Sequence, residues 1–575
     1  MLGKRTAAQW QTGPVTTTRD LADRFHASWL DAHPFYASMR GFPGYDDLVP
    51  DDSEAGDAAR RAEVQAALEE AETLLEVVIS PEDAVTLGCV AEAARQELAE
   101  LDSASLEYTV TAMPFSGPAV LFLIAARTLL PDFEAADDYL VRLRSSGTWI
   151  DQLTERLRAG AAKGRLPVAS LVEVTISWAE PLLAQAVPEP LGVPQPPEGW
   201  DGTASWEQER DAIVDEIVKP ALARWLDTLR ELLPTARPDE RAGLVHLPDG
   251  AADYARAIRA HTTLPLTAEE LHRIGLDEIE RLERRCLELG AEIGLSDLAA
   301  VHAAMRASAA GRDPREAIAQ ATRAIRRAEA RAAEVFPEPL PPPCVVTPMP
   351  DVVATSGMAP HYSPPRADGA RPGTYWFNTE RPTAGTGWDL EVVAFHEAVP
   401  GHHLQHARVL LLTGLPAIQR EHALTVFSEG WGLYSEQLAE EMGLYDSTES
   451  LLGAVAASLM RAARLVVDTG LHAFGWSRAE ALDFFIGHVP MPPEFLAAEI
   501  DRYIAMPGQA LAYLTGKREI LRLREEARRR LGPAFSLKEF HSAVLDQGSL
   551  PMTVLERVIT DWVSLAGTSG TSQPG

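Results

Sequence analysis

The residues able to do chemistry concentrate in one stretch, Phe395-His396-Glu397-Ala398-Val399-Pro400-Gly401-His402-His403-Leu404-Gln405-His406. It carries four of the fifteen histidines in the chain, and an acid follows the first of them. Two histidines four apart on a helix share a face, so both imidazoles reach one metal ion while a neighbouring glutamate stands beside the ion's water. Here the position four after His396 is Pro400, which binds no metal. On an unbroken helix His402 would point to a different side from His396. His403 would face the same way as His396, but roughly 10 Å further along the axis. Pro400 removes a helical hydrogen bond and Gly401 tolerates unusual φ. A bulge at Val399-Pro400-Gly401 that loops out two residues would restore the four-residue relation between His396 and His402. The regular pair His402/His406 is the rival. It leaves His396 and Glu397 without a role, whereas the bulge gives Glu397 the place of a general base. A lone histidine is usually a core or surface residue; four of them with an acid and a helix breaker argue for a metal.

A metal that activates water needs a third protein ligand and one open position. Downstream, Phe427-Ser428-Glu429-Gly430-Trp431-Gly432-Leu433-Tyr434-Ser435-Glu436 places Glu429 in an apolar helical stretch between small residues. Gly430 and Gly432 weaken a helix but let another helix approach closely. Glu429 is the expected third ligand. Glu436, near Glu440 and Glu441, reads as part of a solvated face. Further on, Tyr503 and Tyr513 could each donate to a developing oxyanion. Thr374 to Asn378 has strong strand character, and Tyr375 and Asn378 are candidates for binding an extended peptide by edge pairing. His403 joins them as a substrate-contact candidate.

These residues need a scaffold, and most of the chain reads as helix. Ala58 to Val78, Ala221 to Leu233, Ala268 to Gly290 and Pro314 to Val335 show apolar residues at three- and four-residue spacing. Thr267 with Glu270 and Asp313 with Glu316 fit capping boxes. Proline-rich tracts at Pro188 to Gly202 and Pro337 to Pro350 interrupt the helices, the first as a surface loop or lobe boundary. A small sheet is expected within Val345 to Thr379, and helix again from Leu390 to about Leu565. The expected organisation is an N-terminal helical lobe (1–250) closing one side of a cleft, a catalytic region (251–565) and a flexible tail (566–575).

Composition narrows the partners. With 52 Lys and Arg against 83 Asp and Glu, the formal charge is −31. Such a field disfavours nucleic acid and anionic membrane surfaces as partners. Cys89, Cys286 and Cys344 are too few and too scattered for a disulfide framework. Met1 to Gln11 has no apolar stretch that could serve as a signal peptide, and the most apolar run, Pro118 to Ala126, is far short of the ~20 residues that span a bilayer. A cytoplasmic chain is expected.

The motif His396 through Gln405 resembles the His-Glu-Ala-x-Pro-Gly-His-His-Leu-Gln hallmark of a bacterial family catalogued as domain of unknown function family 885. Arg371 to Thr379, Glu429 to Glu436, Arg502-Tyr503 with Pro507 to Tyr513, and Phe540-His541 with Gly548 to Pro551 are similar to further segments of that family, in its order. Gly432 departs from the alanine more usual there. The resemblance implies a mainly α, zincin-like (gluzincin) metallopeptidase fold with a small sheet before the active-site helix, distantly similar to thimet oligopeptidase and carboxypeptidase Taq. It implies Zn²⁺ held by His396, His402 and Glu429, with Glu397 as base. The expected activity is hydrolysis of small peptides. A zinc amidohydrolase acting on another small amide, or a peptide-binding protein without turnover, would carry many of the same residues.

Overall fold

A computed structural model of the chain describes residues 17–77, 80–114, 116–308, 313–349, 360–365, 371–380, 386–422 and 424–569. It is mainly helical, with one three-stranded sheet. The chain divides into two compact units, Met1–Val78 with Ala93–Asp253, and Ile79–Glu92 with Tyr254–Gly575.

The first unit is built on the 30-residue helix Phe133–Ala162, capped by the Asp132 side chain on Ala135 N–H. Its Tyr139, Leu143, Trp149 and Ile150 pack with Trp206 and with Leu222, Trp225 and Leu229 of helix Lys219–Leu232. The buried Arg142 donates from Nε to the Leu48 carbonyl and from Nη2 to the Tyr45 carbonyl and the Ser38 hydroxyl, which offsets part of the cost of burying a guanidinium. The apolar run at Pro118 forms the buried helix Ala119–Ala125. Pro188 to Gly202 is not a boundary between lobes: it lies inside this unit, and its Leu191 is in the core.

The second unit holds every candidate site residue. Its labelled helices are α1 (Ala268–Glu292), α2 (Pro314–Arg331), α3 (Leu390–Glu397), α4 (His402–Val409), α5 (Thr425–Glu441), α6 (Thr448–His472), α7 (Ala512–Leu531) and α8 (Met552–Ser569). Thr267 and Glu270 cap α1 reciprocally. Asp313 caps α2 alone, on Arg315 N–H, without the reciprocal bond from Glu316. Helix α6 is the longest apolar stretch and meets the length and composition of a membrane span, which the short run at Pro118 does not. Yet 83% of its apolar window is buried within the protein. It is a core helix against which α1 packs so closely that a Cβ at Gly275 would lie 2.7 Å from Val466 Cγ2. α8 runs to Ser569, so 566–569 continue a helix where a frayed tail is expected; 570–575 lie outside the described residues, as does Met1 to Gln11. The three cysteines are buried, and burial pushes each thiol up to about 12.

Strands β1 (Val345–Pro348), β2 (His361–Ser363) and β3 (Thr374–Phe377) follow the order β1-β3-β2. β1 pairs parallel with β3, Val345 opposite Thr374, and β2 pairs antiparallel, Tyr362 opposite Tyr375. The strand foreseen as a peptide-binding edge is therefore the central one, with both sides taken. The start of α3 is tied to α2 by Arg327 Nη2 on Glu391 Oε1 at 2.5 Å, while Asp446 N–H donates to Glu391 Oε2 at 3.2 Å.

α5 and α7 cross where each presents a glycine. A Cβ on Gly430 would sit 2.6 Å from Gly516 Cα, and one on Gly516 would sit 2.0 Å from Val426 O. Backbone cannot yield as a side chain can, so Gly430→Ala should lower unfolding stability by about 1–3 kcal/mol. Urea titration followed by circular dichroism should show this as a lower midpoint at unchanged slope; an unshifted midpoint would mean that the crossing is looser than described.

Candidate metal centre

The candidate segment is a helix interrupted and resumed. α3 ends at Glu397 and α4 begins at His402. In a regular helix Ala398 O would accept from the residue four ahead. Here it accepts from His403 N–H at 3.1 Å and Leu404 N–H at 3.4 Å, five and six ahead. The ladder thus skips one residue in the shorter bond and two in the longer, a bulge at the place the motif demanded. Gly401 is required for space: its φ is an ordinary −82°, and a Cβ there would lie 1.9 Å from His396 O. α5 supports both sides of the break. Ser435 Oγ donates to Phe395 O at 3.2 Å, and Trp431 Nε1 donates to Pro400 O at 3.0 Å.

The break brings the His396 and His402 rings to 4.7 Å between centroids. Glu429 Oε2 lies 3.4 Å from His396 Nε2 and 3.7 Å from His402 Nε2, and one potential ligand atom from each residue lies within 4.8 Å of the others. His406 is not part of this group: its ring lies 6.0 Å from that of His402 and its Nε2 faces Ser428 Oγ. Tetrahedral ligands about 2.1 Å from an ion stand about 3.4 Å apart, so the donor set fits a zinc-sized cation.

Glu436 occupies the other side of His396. It is buried, not solvated, and accepts from His396 Nδ1 at 2.8 Å. A carboxylate can only accept, so Nδ1 carries a proton and Nε2 is the nitrogen that faces Glu429. Burial raises the Glu436 carboxyl, but Arg461, His396 and Lys517 outweigh it and hold it low. Burial likewise opposes charge on His396, yet Glu429 and Glu436 lift its imidazole to about 10 in the metal-free chain. Glu429 is held well below the carboxylate range by the two histidines against its own burial. Both acids point to His396 from one helix seven residues apart, two turns on one face, and that spacing was the signal available in the sequence. Gly432 lies between them, where a Cβ would meet the His396 ring at 2.5 Å. In this chain glycine there makes room for a ligand.

Glu397 is half-buried and lies outside the converging triad. Its Oε2 accepts the backbone N–H of Tyr362 on β2 at 2.8 Å, and no described residue donates to Oε1. Tyr362 escaped the sequence reading.

Three expected substrate contacts need correction. Tyr375 is 1% exposed on the central strand and Asn378 is 0% exposed, its Oδ1 taken by Glu380 N–H. His403 is buried too: its Nε2 donates to Pro342 O at 2.7 Å and its Nδ1 accepts from Tyr362 OH at 3.1 Å.

The two tyrosine candidates separate. Tyr503 is buried and committed, donating to Glu499 Oε2 at 2.6 Å and accepting from Arg464 Nε at 3.0 Å. It is not free to meet an oxyanion. Tyr513 is half-buried, with the Arg464 guanidinium 4.4 Å from its ring centroid. Burial and then the Glu429 carboxylate push its phenol up, opposed by Arg464 and Arg502. His541, in another family-like segment, is structural: it is buried and bridges Tyr434 OH and Val335 O.

With this geometry in hand, likeness to known proteins can be weighed. No curated protein matches the sequence. Among solved structures, one described as the putative lipoprotein from Colwellia psychrerythraea is similar over 96% of this chain and 100% of its own, with a TM-score of 0.86 and 27% identity. A second, described as a putative lipoprotein of unknown function from Shewanella oneidensis, is similar over 95% and 100%, with a TM-score of 0.72 and 16% identity. The description of the Colwellia protein runs against the cytoplasmic expectation, which rested on the first eleven residues and on the shortness of the apolar run at Pro118. The family model described as bacterial protein of unknown function (DUF885) matches residues 34–559, and the chain belongs to that family.

Proposed function

We propose that this chain is a zinc-dependent hydrolase of the zincin-like, gluzincin kind, and specifically a metallopeptidase acting on small peptides. The observation that carries the reading is the convergence of His396, His402 and Glu429 beside a glutamate that keeps one oxygen free. Two imidazole nitrogens and one carboxylate oxygen are the ligand set of catalytic rather than structural zinc. Zinc, when bound, supplies the Lewis acidity that polarises a carbonyl and makes a water acidic. Glu397 Oε1 takes the proton of the attacking water and passes it to the leaving amine. Tyr513 donates toward the oxygen that becomes negative. Glu436 keeps the His396 proton on Nδ1 and fixes the ring. The peptide as substrate rests on the resemblance to thimet oligopeptidase and carboxypeptidase Taq. The lipoprotein description of the Colwellia protein supports a location at a membrane outside the cytoplasm.

Three measurements test this. Purified protein should hold about one zinc per chain by atomic emission, and His396→Ala or Glu429→Ala should lose it; full occupancy in both variants would refute the ligand assignment. Glu436→Ala should keep the ligands but weaken zinc by about 10–100-fold in a chelator competition, the usual loss when an orienting partner is removed. Unchanged affinity would show that Glu436 serves only packing. Glu397→Gln should keep its zinc and lose at least ~10²-fold in kcat on a peptide selected from a library. Full turnover with zinc present would exclude Glu397 as the base.

A further inference from the structure

The second of the doubled histidines, His403, and the glycine of Arg371-Pro372-Gly373-Thr374 have no part in the chemistry above, yet they meet at one place. His403 follows a metal ligand, so its side chain points roughly 100° around α4, toward the sheet. Its Nε2 is held by Pro342 O at 2.7 Å, just before β1. A carbonyl only accepts, so Nε2 carries the proton and Nδ1 is left to accept from Tyr362 OH at 3.1 Å. The Tyr362 ring stands edge-on to His403, 5.5 Å between centroids, and lies flat against His406 at 6.0 Å and 19°. One side chain of β2 is thereby seated on two histidines of α4. Gly373 leaves the room for it: a Cβ there would fall 2.3 Å from Tyr362 Oη and 2.8 Å from His403 Nδ1. The backbone N–H of the same Tyr362 donates to Glu397 Oε2 at 2.8 Å.

We propose that Tyr362 and His403 are positioning residues for Glu397. The hydroxyl-to-imidazole bond seats β2 so that its backbone N–H occupies Oε2 and turns Oε1 toward the water. The proposal rests on the hydrolase reading for its kinetic consequence, but its geometric content stands apart from it. It gives Gly373 a role as clearance for that bond, and it replaces substrate contact as the role of His403.

Zinc-loaded wild type, Tyr362→Phe and Gly373→Ala are to be compared by crystallography and by steady-state kinetics, alone and in a Glu397→Gln background. Tyr362→Phe removes one oxygen and keeps the ring, so zinc content and KM should stay within about twofold. Its kcat should fall about tenfold, the order expected for one lost positioning hydrogen bond. Because the effect acts through Glu397, the same change should cost nothing further when Glu397 is already Gln. Gly373→Ala should do the same through its clash. An equal tenfold loss in both backgrounds, or no loss in either, overturns the proposal. Should the wild type cleave no peptide, the hydrolase reading falls and the crystal structures decide this inference alone. A Glu397 carboxylate that leaves Tyr362 N–H in Tyr362→Phe supports it, and one that stays in place overturns it.

Discussion

Everything around the site follows from one electrostatic constraint: a buried imidazole, His396, is gripped by a carboxylate on each of its nitrogens. Glu436 accepts a hydrogen bond from Nδ1–H at 2.8 Å, and Glu429 faces Nε2 at 3.4 Å and also approaches His402. Burying carboxylates without compensation costs several kcal/mol each, so positive charge must reside between them. In the metal-free chain a proton on His396 supplies it; a divalent cation would do so better, because it also satisfies the lone pair of His402. Arg461 and Lys517 add charge behind Glu436, which keeps that acid ionised and so keeps it a pure acceptor. The His396 ring is thus oriented by a carboxylate that is not one of the three converging residues.

Bringing His402 to His396 requires a broken helix, and a broken helix exposes backbone groups that must be paired. The break at Val399-Pro400-Gly401 resolves this by wide turns onto Ala398 O and by two side chains of α5, Trp431 on Pro400 O and Ser435 on Phe395 O. The helix that supplies Glu429 and Glu436 therefore also holds the distortion that lets them be useful. Glycines serve the same end by absence: Gly401 clears His396 O, Gly432 clears the His396 ring, and Gly430 lets α5 settle on α7.

Much of this was legible in the residues. Pro400 at the place of a second ligand forced the bulge, and small residues beside Glu429 pointed to close packing. What stayed hidden was anything that depends on which face a helix turns inward. Glu436 sits near Glu440 and Glu441 and was taken for solvated, although its seven-residue distance from Glu429 puts both on one face. Thr374 to Phe377 was recognised as strand, but strand order is a tertiary property, and two flanking short strands turned an apparent edge into a centre. The Tyr503 phenol could not be told from that of Tyr513, because the distinction lies in Glu499 and Arg464, contributed by two separate helices.

The sheet has few residues for the work it does. Only its outer strand meets the chemistry, and it does so through backbone, where sequence leaves little trace. An N–H on a free strand edge would otherwise be open to water or to another chain. Placed against Glu397, it holds Oε2 at 2.8 Å and leaves Oε1 without a described donor. A side-chain donor in that place would bring its own rotamers, and a charged one would pull the base toward a permanent ion pair and weaken it as a proton acceptor. A neutral backbone donor orients the carboxylate without placing a charge beside it. That difference explains why a base beside a metal would be paired to a strand edge, and why the adjoining histidine, freed from metal duty by the bulge, is spent on seating that strand.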